Sequence, residues 1–108
     1  MWTGRLAGMP GRFFVVQMTT VFTSLDEARS KAPELMERHI AATREAHRRG
    51  DVVMAGAFLT PPAEGELVQT MAVLNSAAAA QTFVDADPFL QAGLVHEWTI
   101  REWADMLG

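Results

Sequence analysis

Two side chains in this chain suit proton-transfer chemistry: His39, in the run Glu37-Arg38-His39-Ile40, and Asp87, in Asp85-Ala86-Asp87-Pro88-Phe89. An imidazole exchanges protons near neutral pH, and a carboxylate bonded to one ring nitrogen fixes the tautomer and stabilises the charged ring. Such a dyad fits proton abstraction from a small acidic carbon or a phenol. Each residue also has a plainer reading. Pro88 suits the first position of a short helix, which makes Asp87 its N-cap, and His39 can be a satisfied core histidine.

The other candidates are weaker. His47 falls in the last turn of the same helix as His39, where a cation complements the helix dipole, and reads as a cap. His96 lies in the last strand, where it could line a pocket or bridge two copies, but it has no metal-ligand spacing to His39 or His47. Met54, Gly56, Phe89 and His96 are the pocket-lining candidates: methionine adapts to irregular cavities, and a strand glycine marks a bulge or a close approach by backbone or ligand. No metal is assigned. The chain has no cysteine, which removes disulfides, zinc-cysteine sites and thiol catalysis together. Without GxGxxG, P-loop or nucleophile-elbow motifs, no nucleotide cofactor or serine-hydrolase chemistry is implied.

The elements that must position the pair follow in chain order. Arg12 to Met18 (RFFVVQM) is a strand apolar on both faces, with Phe13 and Val15 pointing one way and Phe14 and Val16 the other. Ser24 and Glu27 have capping-box spacing, so a helix begins near Leu25. Pro33 then forces a break near Ala32 or a restart with proline in the first turn. From Glu34 to Arg49, Leu35, His39, Ala42 and Ala46 form an inward stripe that Met36, Ile40 and Thr43 widen. Gly50 is the expected left-handed stop.

Asp51 to Leu59 is a second strand, Thr60 to Glu66 a turn-forming loop, and Leu67 to Leu74 a third strand that closes a hairpin. Asn75 or Ser76 caps an alanine-rich helix through Val84. Leu94 to Trp103 alternates as a fourth strand, with Leu94, His96, Trp98 and Ile100 on one face.

The order βαββαβ is the α+β, ferredoxin-like pattern: a four-stranded antiparallel sheet with two helices on one face. The other face carries large apolar residues from the first two strands, and a soluble monomer rarely exposes such a patch. A homodimer, or a higher oligomer built on it, is the economical cover.

The 108 residues, with 20% charged and 49% hydrophobic, make one domain: a flexible extension at 1–11 and a single fold over 12–108. No apolar run approaches the length of a membrane span. Nine basic residues against thirteen acidic ones give a net charge of −4, with the basic residues interleaved among the acids, so nucleic acid is an unsuitable partner. The opening residues hold no signal-peptide apolar region, and the cytoplasm is the default compartment.

The run Asp85 to Leu94 (DADPFLQAGL), the helix histidine in Glu37-Arg38-His39-Ile40, and Gly50-Asp51-Val52-Val53-Met54-Ala55-Gly56 together resemble the YCII-related (YciI-like) family, over roughly Arg12 to Trp103. The resemblance implies a dimeric α/β barrel with a pocket in each subunit, centred on a catalytic pair that maps to His39 and Asp87. It also implies neighbours such as muconolactone isomerases, small monooxygenases and a dehydrochlorinase of chlorinated hydroxyaromatics. The chain departs from the family pattern where Ala57 follows Ala55-Gly56 in place of proline and where Glu102 precedes Trp103. The arginine common shortly before the histidine has no clear counterpart, Arg29 and Arg38 standing nearest.

Two functions of different class follow. One is a cofactor-independent small-molecule enzyme, a lyase, isomerase or dehydrochlorinase using His39 and Asp87. The other is a non-catalytic dimeric module that binds a small ligand in the same cavity.

Overall fold

In the computed structural model, which describes residues 11–59 and 67–107, β1 (Arg12–Thr20) is the strand around which the others assemble. It pairs antiparallel with β3 (Gln69–Leu74) on one side and with β4 (Val95–Ala104) on the other. The edge strand β2 (Val52–Ala57) pairs with β3, giving the order β2-β3-β1-β4. This is the ferredoxin-like arrangement expected from the element order. The extension at residues 1–10 and the loop at residues 60–66 lie outside the described residues.

The first connection holds two helices rather than one. Helix α1 (Leu25–Lys31) starts at Ser24, whose hydroxyl accepts from the Glu27 N–H. The Glu27 carboxylate returns to the N–H of Thr23, one residue before the cap, and that bond holds its carboxyl below the usual range. Ala32 then leaves helical geometry, and α2 (Pro33–Arg48) restarts with Pro33 in its first turn, where a missing N–H costs nothing. Gly50, at φ +89°, ends α2: its N–H bonds the His47 carbonyl and the Asp51 N–H bonds that of Ala46. These are the paired bonds of a Schellman motif.

Across β1 and β3 the register pairs Phe14 with Leu74, Val16 with Ala72 and Met18 with Thr70, so these share the helix-covered face. Val16, Leu74, Ala80 and Val84 are buried there together with Ala46 of α2. Helix α3 (Ala77–Asp85) supplies Ala80 and Val84, both 0% exposed. The opposite face carries Phe13, Val15, Met71, Val73 and Trp103 by register, and no described helix covers it. Trp103 is 52% exposed and rests beside Phe13 at 6.4 Å between ring centroids. No described helix is long and apolar enough to cross a membrane.

Two local expectations need correction. A register shift between Thr19 and Thr20 breaks the alternation of β4, pairing Glu97 with Thr19 but Val95 with Thr20. His96 is the extra residue and is exposed, while Val95 packs on the core in its place. In β2 the irregularity falls between Val52 and Met54, not at Gly56. A Cβ built on Gly56 meets nothing within 4 Å, so no backbone approach demands glycine there.

Candidate active site

The carboxylate expected at a helix start is both a cap and a partner. Asp87 precedes α4 (Pro88–Gln91), and its Oδ2 accepts from the Leu90 N–H at 3.0 Å. Its Oδ1 lies 2.6 Å from Nδ1 of His39, 48 residues away in sequence. The two readings of Asp87 therefore coexist, one on each oxygen. Gly93, at φ +76°, closes α4 with a second Schellman pair, to the carbonyls of Leu90 and Phe89. That turn fixes the short helix to β4 and so fixes the cap residue.

The pair is held rigidly from the Asp87 side. The Asp87 side chain is 2% exposed, against 24% for His39, so the carboxylate is enclosed and the ring reaches open space. An ionised carboxylate only accepts, which places a proton on Nδ1 and leaves Nε2 as the acceptor of a neutral ring. Among the described residues Nε2 has no hydrogen-bond partner. Among the described residues no buried side-chain nitrogen or oxygen lacks a partner, so Nε2 is accessible. Phe89 sets the ring from its side, edge-on at 5.6 Å, and is itself braced edge-on by Phe22 at 6.0 Å. The cluster of Phe22, Ala28, Ala32 and Phe89 ties α1 and α4 together behind the histidine.

His39 and Asp87 line a cavity of about 530 Å³ between α2 and the sheet. That volume falls within the range of small-molecule sites. Its walls are mostly apolar, with Val16, Met18, Met36 and Phe89 among them. The same two residues border a smaller cavity of about 210 Å³ toward α3. Among the described residues no three His, Asp or Glu side chains converge as metal ligands.

Met54, Gly56 and Phe89 line the larger cavity, whereas His96 does not. The cavity also explains why the inward stripe of α2 is not buried. Only Ala46 is fully enclosed, Ala42 is exposed, and Ile40 is 39% exposed while lining the cavity. His47 lines it too, beyond the capping role read from its position, and Arg29 and Arg44 stand on its wall, while Arg38 does not. The spacing of His39, Thr43 and His47, four residues apart each time, carried that signal.

Several comparisons bear on this architecture. The YCII-related domain matches residues 13–104. Among solved structures, the chain is similar to the 5-chloro-2-hydroxyhydroquinone dehydrochlorinase of Burkholderia phenoliruptrix in complex with 2,5-dihydroxybenzoquinone. That match has 17% identity and a TM-score of 0.60, over 84% of this chain and 92% of the other. It is similar to a cofactor-independent oxygenase from Streptomyces nogalater at 13% identity and a TM-score of 0.52, covering 91% and 96%. A dimeric protein of ferredoxin-like fold from Bacteroides fragilis aligns at 7% identity and a TM-score of 0.51, covering 90% and 99%. These likenesses establish a shared fold. No curated protein sequence matches the chain.

Proposed function

The chain belongs to the YCII-related domain family, and from that premise we propose that it is a cofactor-independent small-molecule enzyme of lyase, isomerase or dehydrochlorinase type. The observation that carries this reading is the 2.6 Å contact between His39 Nδ1 and the enclosed carboxylate of Asp87 at the wall of a large apolar cavity. His39 takes a proton at Nε2 from an acidic carbon or hydroxyl of the substrate. Asp87 stays ionised, holds the ring and stabilises the imidazolium, which then returns the proton to another atom of the substrate or to a leaving group. The dehydrochlorinase of similar fold, seen with a quinone, supports a small planar molecule as the substrate class.

The test is proton exchange. Small hydroxyaromatics and lactones incubated with the protein in deuterated water should gain deuterium or isomerise, followed by NMR. His39→Ala should lower that rate by about 10²–10⁴-fold, the usual worth of a positioned acid-base group. Asp87→Asn should do the same by another route: its amide oxygen can still cap Leu90, but its NH₂ donates to Nδ1 and moves the ring proton onto Nε2. Full activity in either variant would leave a ligand-binding module as the function.

The working form proposed is a homodimer joined through the uncovered sheet face, to which Phe13, Val15, Met71 and Trp103 contribute apolar side chains. Light scattering should return twice the chain mass, and Trp103→Glu should shift it toward the monomer, since an unpaired charge cannot be enclosed cheaply. A stable monomer at micromolar concentration would refute the dimer.

A further inference from the structure

The charges around the cavity are one-sided. Asp87 is the sole carboxylate in the described wall, and both of its oxygens are taken, by His39 and by the Leu90 N–H. The remaining charged side chains are the guanidinium groups of Arg29 and Arg44. Arg29 shares its charge with Asp26 at 3.5 Å. Arg44 has no carboxylate in ion-pair range among the described residues, although α2 carries Glu34, Glu37 and Glu45.

Helix geometry relates this cation to the dyad. Arg44 lies five residues beyond His39, about 7.5 Å along the axis. Helical side chains lean toward the N-terminus, and five residues turn about 140° around the axis, so the Arg44 side chain leans over Ile40 and stands across the helical wall of the cavity from His39. Thr43, between them, is not a free donor, because its hydroxyl donates to the His39 carbonyl at 2.8 Å. His47, one turn beyond Thr43 on the same stripe, adds a further polar group at this end of the wall. The rest of the wall is mostly apolar, with Val16 and Met18 of the sheet and Ile40 of the helix among its residues.

We infer that the cavity selects a small organic carboxylate with an apolar, planar body, its carboxylate held by Arg44 and its reactive end presented to His39. A guanidinium matches the two oxygens of a carboxylate with two parallel N–H donors, and among the described residues no carboxylate competes for it. The inference rests on the proton-transfer reading for its reactive end, but the anion preference belongs to Arg44 and can be measured without turnover.

The probes are 4-hydroxybenzoate and its methyl ester, which share ring and hydroxyl and differ in charge. Titrated into the full-length protein and followed by NMR, the acid should bind about tenfold more tightly than the ester, in keeping with a charge-assisted contact. Arg44→Gln should remove most of that difference by weakening the acid alone, and Arg44→Lys should restore part of it. Arg44 is exposed, so both variants should fold as the parent does. Equal affinities for acid and ester, no binding of the acid, or an Arg44→Gln variant with unchanged preference would each overturn the inference. His39→Ala should keep the acid-over-ester ratio. A protein that keeps the ratio but never exchanges protons therefore refutes the enzymatic reading and leaves the anion site standing.

Discussion

Helices α2 and α3 cover the same sheet face yet meet it differently. Helix α3 presents Ala80 and Val84, both completely enclosed against Val16 and Leu74. Small side chains let its backbone approach closely, and its apolar groups interdigitate with those of the sheet. Helix α2 encloses only Ala46, and beneath its middle the sheet offers Ala55, Ala57, Thr70 and Ala72, all on the cavity wall. Short residues on the sheet and polar ones on the helix cannot fill the gap between them. One half of the layer is therefore stabilised by packing, while the other is hollow and holds the His39–Asp87 pair.

That division can be tested by where substitutions register. The largest expected loss of stability is in the packed half. Leu74→Ala should cost about 2–5 kcal/mol, because a fully buried leucine loses its transfer energy and leaves a cavity; urea unfolding measures it. A cost below about 1 kcal/mol would show that the packed half is not close-packed after all.

At the boundary, Asp87 joins the halves through its two oxygens. Asp87→Ala should cost about 0.5–2 kcal/mol from the lost cap, and Asp87→Asn should recover most of that stability without recovering activity. Thermal midpoints and deuterium exchange on the same two proteins separate the cap from the dyad. If alanine and asparagine were equally stable, the Leu90 contact would carry no weight.

The smallest effect belongs to the hollow half. Ile40 is apolar but faces open space, so Ile40→Ala should shift stability by no more than about 0.5 kcal/mol. A large loss would mean that something fills the cavity in solution.

Much of this was legible from residue order alone. The βαββαβ sequence of elements, the Ser24 and Ser76 caps, the break before Pro33 and the left-handed Gly50 are local, and they are all present. His39 and Asp87 could be nominated for the same reason, since one sits on a helix stripe and the other before Pro88. The face of His96 could not be read, because strict alternation holds only while both strands advance in step. The shift between Thr19 and Thr20 breaks that step through pairing with a strand 70 residues away or more. Likewise Ala42 and Ile40 fit an inward stripe, but periodicity reports which side a residue faces and not whether anything stands there.

The order and type of the elements follow from residue order, since capping, proline geometry and apolar periodicity act over a few residues. Long-range packing sets the rest: Asp87 divides its oxygens between Leu90 and His39, α2 stands away from a floor of alanines, and Arg44, without an ion-pair partner among the described residues, shares the resulting cavity with the dyad. Those outcomes depend on distances between segments far apart in the chain, and such distances are set by how side-chain volumes fill the space between helix and sheet.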